Sequence, residues 1–324
     1  MAYAIVASNP GGTEVLHKTD IDTPVPSTTD VLIRQTAVGV NFHDVYMRSG
    51  LYPWPVEKNL ILGSEGAGVV EDVGSEVSGF SVGDRVAYTV PNGGYATHRL
   101  VPAASVVHLP DHINDTEAAA AMLKGLTAYY LLHDSYSVAT GKVVLFHAAA
   151  GGVGTLAGQW LRSKGVSAIG TAGGPEKCRI AKANGFEEVI DYKSEDVVAR
   201  VMDLTNGQGV AAVYDSVGKD TIMGSLDCLK TFGTLINFGQ SSGVPDQFRI
   251  AHLARGSFHL TRPILFHFTA DRGWLERASK KLFDAVGSGA VKINITNTLP
   301  LIKAGEAHQN LEDRKTTGST VLIP

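Results

Sequence analysis

Residues 143–154 read Val143-Val-Leu-Phe-His-Ala-Ala-Ala-Gly-Gly-Val-Gly154. Apolar residues that favour β-structure come first, followed by small residues and a glycine cluster. This order predicts a strand, a tight turn and the first turn of a helix. Glycines let backbone N–H groups approach a pyrophosphate, and a helix N-terminus adds unpaired donors and a partial positive charge. Because Ala149 replaces the first glycine of the usual G-x-G-x-x-G motif, the stretch alone also matches an ordinary βα turn.

The residues after this turn alternate between strands and helices. Strands are predicted at 167–171, 188–191, 210–215 and 234–238, and helices at 175–185, 196–205 and 221–229. Parallel neighbours in a sheet need helical crossovers, so this alternation predicts a doubly wound parallel sheet. The glycine turn then follows the first strand of that sheet, which is the position of a nucleotide-binding turn.

The flanking segments have a different pattern. Residues 1 to about 110 contain short β-like runs separated by Gly, Pro and Asp, which favours a compact, mostly antiparallel unit. A helix from 117 to about 132, capped by Asp115 or Thr116, leads into the parallel sheet. A helix at 274–286 and a strand at 318–324 end the chain. We therefore predict an α/β protein in which a Rossmann-type domain (126–263) is inserted into a β-rich domain (1–125 and 264–324).

The composition of the 324-residue chain, 44% hydrophobic and 19% charged, is that of an ordinary globular enzyme. With 28 Lys and Arg against 32 Asp and Glu, the chain has no basic excess for nucleic acid or an anionic membrane. Cys178 and Cys228 lie outside any C-x-x-C spacing, as expected in a reducing cytosol. No apolar run approaches the roughly 18 residues of a membrane span. We expect a cytoplasmic protein without a nucleic-acid or membrane partner.

Blocks of sequence in four places resemble one family, in the same order along the chain. They are Gly39-Val-Asn-Phe-His-Asp-Val-Tyr-Met-Arg-Ser-Gly-Leu-Tyr-Pro53, Lys124-Gly-Leu-Thr-Ala-Tyr-Tyr-Leu-Leu132, His147-Ala-Ala-Ala-Gly-Gly-Val-Gly154 and Tyr214-Asp-Ser-Val-Gly218. Together they resemble the zinc-independent NADPH:quinone oxidoreductases, the zeta-crystallin-like branch of the medium-chain dehydrogenase/reductase superfamily. The resemblance covers nearly the whole chain. It implies a Rossmann doubly wound parallel sheet inserted into a GroES-like β-rich domain.

The resemblance also implies which residues bind the cofactor, NADPH. Asn41, Phe42 and Tyr46 are expected at its nicotinamide end. The other expected cofactor-binding residues are Tyr130 beside the cofactor, Gly152 and Val153 at the pyrophosphate, Gly173, Gly174, Lys177 and Tyr192 at the adenosine phosphate, Ser216, Val217, Ser241, Ser242 and Gly243 in later loops, and a C-terminal arginine, Arg314.

The positions of the zinc ligands in metal-dependent relatives are changed in this chain. Residues 41–42 stand where those relatives have a Cys, and Ser64 stands where they have a His. A catalytic zinc needs three protein ligands, and His43, Asp44 and Glu65 offer only a makeshift set. We predict that no metal is bound. Several family members have an aliphatic residue in place of His43, so the resemblance gives it no role and we expect a hydrogen-bonded boundary residue.

The absence of a metal restricts the reaction. An alcohol or simple ketone develops an alkoxide that nothing strong would stabilise, whereas a reduced quinone anion is delocalised. Positioning against the nicotinamide can then do most of the work, with Asn41, Tyr46 and Tyr52 as candidate catalytic residues. We predict an NADPH:quinone reductase. The alternatives are an NADPH-dependent reductase of activated alkenes (enals and enones) and a non-catalytic NADPH-binding protein.

The end of the second parallel strand predicts the choice of cofactor. NAD-specific folds place an Asp or Glu there to bind the ribose 2′-hydroxyl. This chain instead reads Ile169-Gly-Thr-Ala-Gly-Gly174, with Lys177 in the following turn and Tyr192 after the third strand. An ammonium group beside an open pocket suits the 2′-phosphate of NADPH. The alternative is that Lys177 is a solvated residue neutralised by Glu176.

Residues 258–262 are predicted to form the last strand of the parallel sheet. Exposed edge strands tend to be paired or covered, and family members resemble one another in pairing such edges. We therefore expect a homodimer.

Overall fold

The computed structural model describes residues 2–324. The first part of the chain contains β1 (Ala2–Ala7), β2 (Leu16–Ile21), β3 (Asp30–Gly39), α1 (Phe42–Ser49), β4 (Leu60–Ile61), β5 (Glu65–Val73), β6 (Arg85–Thr89), β7 (His98–Pro102), β8 (Val106–His108) and α2 (Asp115–Tyr130). The middle contains β9 (Val143–Phe146), α3 (Gly152–Ser163), β10 (Ser167–Ala172), α4 (Pro175–Ala183), β11 (Glu188–Asp191), α5 (Val197–Leu204), β12 (Val210–Asp215), α6 (Ile222–Asp227), β13 (Leu229–Asn237) and β14 (His259–Thr261). The last part contains α7 (Leu265–Thr269), α8 (Arg272–Gly287), β15 (Ile295–Pro300), α9 (Ala304–Glu312) and β16 (Ser319–Ile323).

The chain divides into two units. The first comprises the residues up to Leu126 together with Phe268–Gly287 and Ile293–Pro324. The second comprises Thr127–His267 and a short return, Ser288–Lys292. Hydrogen bonds hold this return within the second unit, because the Gln159 side chain donates to the carbonyl of Lys292 and accepts from its N–H.

The second unit is built on a parallel sheet of order β11-β10-β9-β12-β13-β14. The chain runs from β9 outward to β11, then crosses to β12 and continues to β14 on the other side. This confirms the predicted doubly wound sheet, and the strand order reverses between β9 and β12, where such folds bind ligands. Apolar side chains from these strands and from α5 and α6 form one core, which includes Leu145, Val213 and Leu226.

The helices of this unit begin and end as their sequence signals predict. Pro175 occupies the first position of α4, where its missing N–H costs nothing. Gly185 follows the end of α4 with φ 104°, and a Cβ there would lie 2.3 Å from the carbonyl oxygen of Gly158. Asp196 caps α5 by accepting a hydrogen bond from the N–H of Ala199.

The first unit is β-rich and mostly antiparallel, as predicted. One sheet has the order β2-β1-β4, and the larger has the order β15-β16-β3-β5-β6-β8, with β7 also paired to β3. Two details of the prediction are wrong. Helix α2 is capped by Asn114, whose side-chain oxygen accepts a hydrogen bond from the backbone N–H of Glu117. In return, the backbone N–H of Asn114 donates to the Glu117 carboxylate. The reciprocal pair starts the helix earlier than the predicted 117.

Helix α1 is the second difference, because a segment interpreted only as a motif forms two turns of helix. Its apolar side faces a core that includes Met47, Tyr95 and Leu301. Gly50 ends the helix in the left-handed conformation, with φ 77°. Among residues 2–324, no helix has the length and apolar character needed to cross a membrane.

Candidate active site

Asn41 stands at the start of α1 and links the helix to the sheet. Its backbone N–H donates to Asp44 Oδ2 at 2.9 Å, which satisfies one of the donors at the helix start. Its side-chain Nδ2 donates to Glu65 Oε1 on β5, also at 2.9 Å. Asn41 is therefore tied to α1 through its backbone and to β5 through its side-chain amide.

Glu65 is fully buried and forms an ion pair with Lys124 of α2, with Nζ donating to Oε1 at 2.7 Å. The N–H of Leu123 donates to Oε2 at 2.6 Å. These donors offset the cost of burying a carboxylate. Gly39 leaves room for it, because a Cβ there would lie 2.2 Å from Glu65 Oε1.

Asp44 is a second fully buried carboxylate, one helical turn from Asn41. Ser64 Oγ donates to its Oδ1 at 2.6 Å, and the Tyr95 hydroxyl donates to its Oδ2 at 3.1 Å. Burial raises the pKa of Asp44, but the hydrogen bond and charge of His43, with the charge of His308 and the Ser64 hydrogen bond, outweigh burial and hold it below its usual range. The oxygens of Asp44 are thus engaged by protein donors.

The positions predicted to lack zinc ligands therefore hold hydrogen-bonded side chains. Asn41 is bonded to Glu65, and Ser64 is bonded to Asp44. No group of three or more His, Cys, Asp or Glu side chains in the described range 2–324 has a metal-binding arrangement. His43, Asp44 and Glu65 are not such a group, and the two carboxylates accept hydrogen bonds from Ser64, Asn41 and Lys124.

Aromatic rings lie together on and just after α1. We call Phe42, His43, Tyr46 and Tyr52 the aromatic cluster. The ring centroids are 5.9 Å apart for Phe42 and Tyr46, 5.2 Å for Tyr46 and Tyr52, and 5.9 Å for His43 and Tyr52. The structure thus brings the predicted catalytic residues Tyr46 and Tyr52 together. Trp54, two residues after Tyr52, packs on the core and donates its indole N–H to the carbonyl of Met47.

The polar network of the first unit continues from Asp44 to α9. Tyr95 is hydrogen-bonded to His308 at 2.8 Å, and Arg48 Nη1 donates to His308 Nδ1 at 3.3 Å. Arg48 also forms a two-pronged ion pair with Glu312, at 2.9 and 2.7 Å. Since arginine only donates, His308 carries its hydrogen on Nε2. Burial lowers the pKa of His308 to about 4, so this ring is neutral at physiological pH.

The glycine turn of the second unit adopts the predicted conformation. Gly151 precedes α3 with extended backbone, and the helix begins at Gly152 and Val153. A Cβ on Gly154 would lie 2.5 Å from the carbonyl oxygen of Ala148, so only glycine is accommodated there. The first N–H groups of a helix have no partners within it, and such a turn is suited to binding an anion.

The end of β10 lies beside the end of β11. Gly173 faces Tyr192 closely, because a Cβ on Gly173 would lie 2.4 Å from the Tyr192 hydroxyl. Gly174 has φ 95° and nothing within 4 Å of an added Cβ, so the loop is open on that side. Lys177 follows in the first turns of α4.

An acid that is absent from the predicted site also lies at this point. The register pairs Asp191, the last residue of β11, with Ala172 of β10. Its Oδ1 accepts from the N–H groups of Gly174 and Lys193, and these hydrogen bonds lower the pKa of Asp191. The signal was present in the sequence, since parallel neighbouring strands bring their last residues together.

The loops that follow β12 and β13 are joined to each other. The N–H of Ser241 donates to the carbonyl of Ser216 at 3.1 Å, and the N–H and hydroxyl of Ser242 both donate to the carbonyl of Val217, at 2.9 and 2.8 Å. The carbonyl of Gly243 accepts from the N–H of Lys219 at 3.1 Å. The structure therefore brings together the predicted residues of these two loops.

His147 connects the strand ends and was missed as a site residue. Its Nδ1 is hydrogen-bonded to Thr171 Oγ1 and its Nε2 to Ser225 Oγ, both at 3.0 Å. Ser225 donates to Asp215, which also accepts from the start of the β12 loop. Burial lowers the pKa of His147, against the charge of Asp215, so the ring is neutral and links β9 to both neighbouring strand ends.

The remaining predicted residues lie further along the chain. Tyr130 is the buried last residue of α2, and its side chain belongs to the second unit. Arg314 follows α9 in the first unit, exposed and with φ 57°. Its predicted contact with the cofactor stays a prediction.

The residues of the second unit match the requirements of a dinucleotide. The glycine turn provides backbone donors at a helix start where a Cβ would collide with the turn, and the space at Gly174 after β10 is open, with Lys177 in the first turns of α4. The loops after β12 and β13 add hydroxyl groups along the same sheet edge.

Comparison with known proteins yields two matched families. Residues 27–111 match the family described as "Alcohol dehydrogenase GroES-like domain", and residues 152–277 match the one described as "Zinc-binding dehydrogenase". The quinone oxidoreductase of Pseudomonas aeruginosa is 47% identical over 100% of both chains. A 2-haloacrylate reductase from Burkholderia sp is 40% identical over 100% of this chain and 99% of the relative.

Among solved structures, Escherichia coli quinone oxidoreductase complexed with NADPH superimposes with a TM-score of 0.97 at 41% identity. The match covers 99% of this chain and 100% of the other. The GroES-like and Rossmann domains predicted from the sequence are thereby confirmed, as is the family resemblance. The chain belongs to the quinone oxidoreductase family of the medium-chain dehydrogenases/reductases.

Proposed function

We propose that this protein is an NADPH-dependent oxidoreductase that transfers reducing equivalents from NADPH to a quinone without a metal. The observation that carries the proposal is the pair of positions Asn41 and Ser64, whose side chains are committed to Glu65 and Asp44. Zinc-dependent chemistry has no ligands there, while the dinucleotide loops are intact. The full-length likeness to quinone oxidoreductases supports the same assignment.

The residues of the second unit would hold NADPH, which supplies the reducing equivalents. Gly152 and Val153 offer N–H groups to its pyrophosphate, and Lys177 and Tyr192 border the pocket for the adenosine phosphate. The loops after β12 and β13, which are joined through Ser216 and Ser241, would bind the rest of the NADPH molecule. We retain Phe42, Tyr46, Tyr130 and the other predicted cofactor residues as part of this proposal.

The residues of the first unit would orient the acceptor. Asn41 presents an amide that Glu65 fixes, so its remaining hydrogen-bonding capacity is directed without loss of side-chain entropy. Tyr46 and Tyr52 provide aromatic surface against a planar ring. A quinone needs little more, because its reduced anion spreads charge over the ring, whereas a ketone would require a strong electrophile.

An activated-alkene reductase is the second candidate, and one observation favours it. A relative 40% identical over the full length is a 2-haloacrylate reductase, an enzyme named for an alkene substrate. Enals and enones accept reducing equivalents without a metal, so the first unit does not discriminate against them. A protein that only binds NADPH is disfavoured by the full-length likeness to enzymes.

The test is a panel of acceptors with NADPH in excess. We expect benzoquinones and naphthoquinones to be reduced at least about tenfold faster than enals, enones and saturated ketones at equal concentration. A preference for enals would establish the second candidate, and NADPH binding without turnover on any acceptor would contradict both. Metal analysis of the washed protein belongs to the same experiment, since one zinc per chain with loss of turnover on chelation would refute the metal-free assignment.

We also propose a homodimer in the cytoplasm. Strand β14 is the edge of the parallel sheet, and Leu260 on it is exposed. Such an edge is stabilised by pairing with a second copy across a two-fold axis. Light scattering that gives twice the 34.3 kDa chain mass would support this assembly. The free thiols of Cys178 and Cys228 support a reducing compartment.

A further inference from the structure

His43 takes part in a hydrogen-bonded chain that the proposed function has not used. Its Nδ1 lies 2.7 Å from Ser64 Oγ, and Ser64 Oγ lies 2.6 Å from Asp44 Oδ1. Asp44 is ionised, so the Ser64 hydroxyl donates to it and the Ser64 oxygen must accept from His43. The hydrogen of His43 therefore lies on Nδ1, and Nε2 is the ring atom that gains and loses a proton.

The imidazole of His43 is also placed beside the predicted catalytic rings. It meets Tyr52 edge to face, with 5.9 Å between centroids and 64° between planes, and Tyr52 in turn contacts Tyr46. The side chain of His43 is 19% exposed, whereas Asp44 behind it is fully buried. The Nδ1 of His43 is thus tied through Ser64 to a buried carboxylate, and its ring packs against Tyr52 of the aromatic cluster.

We propose that His43 donates the proton that reduction of a quinone requires, with Ser64 and Asp44 as positioning residues. The inference rests on the proposed function. Addition of one hydrogen and its electron pair from NADPH converts a quinone to a hydroquinone monoanion and leaves NADP⁺. The proton on His43 Nε2 then passes to the remaining phenolate oxygen, giving the neutral hydroquinone, and solvent restores the proton to His43.

The network suits this transfer for two reasons. The Asp44 carboxylate, 3.9 Å from His43 Nδ1, stabilises the imidazolium before transfer. Loss of the proton from Nε2 leaves the Nδ1–H bond to Ser64 in place, so no side chain has to rearrange. This is the orienting role that a buried acid and a bridging group have in other acid–base sites.

Other titratable groups surround His43 and must be considered in any pH profile. On its own helix and the following loop these are Asp44, Tyr46 and Tyr52. Ser64 is followed on β5 by Glu65, which is paired with Lys124. Behind Asp44 lie Tyr95 and His308, whose pKa values are shifted far from neutrality, upward for Tyr95 and downward to about 4 for His308. The pH profile of the parent is therefore compared with that of His43→Gln, which changes only the imidazole beside Tyr52.

The experiment measures kcat with a series of quinones whose hydroquinone anions differ in basicity. General acid catalysis contributes about 100-fold or more, and we expect His43→Gln to lower kcat by about 100-fold for the most basic anions and by only a fewfold for the least basic. In the parent, the rate should fall with rising pH as His43 loses its proton. This part of the pH–rate profile should be absent from His43→Gln. Added imidazole should partly restore His43→Ala.

The matched control is His98→Gln on β7. The His98 side chain is also 19% exposed, its Nδ1 also contacts a hydroxyl, that of Thr97, and its Nε2 lies 3.2 Å from Glu71. This variant should reduce all quinones at the parental rate. The proton-donor role would be refuted if His43→Gln lowered kcat equally for every quinone or left the pH–rate profile unchanged. In that case the parental protein would still reduce quinones, so the proposed function would stand. Absence of turnover in the parent would instead refute the proposed function.

A readout independent of turnover is the tautomer of His43. Nitrogen NMR of the parent without cofactor should show the neutral ring protonated on Nδ1. Ser64→Ala removes the acceptor and should shift the ring to a mixture of tautomers with a reduced kcat, while Ser64→Thr retains the hydroxyl and restores both. A parental ring protonated on Nε2 would overturn the assignment.

Discussion

Two buried carboxylates, Asp215 in the second unit and Glu65 in the first, organise their surroundings in different ways. The partners of Asp215 lie 2, 3, 6 and 10 residues along the chain, in the loop after β12 and on α6. The partners of Glu65 lie 24, 58 and 59 residues away. The first network is a local consequence of a strand end, whereas the second exists only once distant segments have folded together.

The difference predicts where a mutation acts. A local network shapes a loop, so its loss should alter ligand binding more than folding. A non-local network joins β5, α1 and α2 in the first unit, so its loss should alter folding as well as the site. Substitutions in the two regions test this distinction.

Glu65→Ala is expected to have the largest effect. It leaves the Lys124 ammonium buried without its partner and the Asn41 amide without its acceptor. Breaking a buried ion pair from one side costs about 3 to 5 kcal/mol. We expect urea unfolding to show a loss of this size, with quinone reduction lost in step, since Asn41 is no longer oriented.

Glu71→Gln is the control on the same strand. Glu71 pairs with Arg34 at 2.8 Å and lies 3.2 Å from His98 Nε2, but the Glu71 and Arg34 side chains are well exposed. Exposed ion pairs contribute about 0 to 1 kcal/mol, so this variant should unfold at nearly the parental urea concentration. If the two variants lost similar free energies of unfolding, burial would not distinguish the two ion pairs. Glu65 would then not be the residue that holds β5, α1 and α2 together.

The same contrast explains how much was predictable from sequence. Apolar runs between turn signals predict the strands 188–191 and 210–215 and the last residues of β9 and β10. Once the sheet is parallel, these ends must share an edge, and the glycine turn and the later loops come together without further information. Even Asp191 beside Gly174 was accessible from this rule.

The first unit could not be derived in that way. Nothing in the local pattern around Ser64 indicates that its hydroxyl bridges His43 and Asp44, because the contact depends on how α1 packs against β5. Of its catalytic candidates, Asn41 and Tyr46 rest on the family resemblance and Tyr52 on its place in the sequence. His308 likewise enters from a helix more than 200 residues later in the chain, at a separation of 213 residues from Tyr95.

The second prediction concerns acid stability and the same non-local network. Burial lowers the pKa of His308 to about 4, whereas an unfolded histidine titrates at about 6.5. Between these values the unfolded chain binds a proton that the folded chain does not, so stability is complete above pH 6.5 and is lost as the pH falls toward 4. The contribution lost is about 3 kcal/mol.

Urea unfolding of the parent and of His308→Gln at several pH values from 4 to 7 measures this contribution. His147 adds to the parental slope in the same direction, because its pKa is also lowered, and Asp44 adds only below its ordinary pKa of 3.8. The quantity to compare is therefore the difference between the two proteins. If the free energy of unfolding of His308→Gln decreased with falling pH as steeply as that of the parent, a group other than His308 would be responsible for the pH dependence.

The third prediction belongs to the local side of the comparison and has the smallest effect on the fold. Lys177 follows the open Gly173-Gly174 loop on α4, and we expect its ammonium to contact the 2′-phosphate of NADPH. Lys177→Ala should raise the Michaelis constant for NADPH by about tenfold, or about 1.4 kcal/mol, and leave that for NADH and the unfolding curve nearly unchanged.

Asp191 makes this test sharper than the sequence alone would allow. Its carboxylate lies at Gly174 and adds negative charge beside the pocket, which opposes a 2′-phosphate unless a cation compensates. Lys177 is the residue whose loss should expose that opposition, whereas Arg179→Ala, at an exposed position of the same helix, should leave both Michaelis constants unchanged. If Lys177→Ala weakens NADPH and NADH equally, the lysine binds a group common to both cofactors, and the preference for NADPH must arise from the open shape of the Gly173-Gly174 loop.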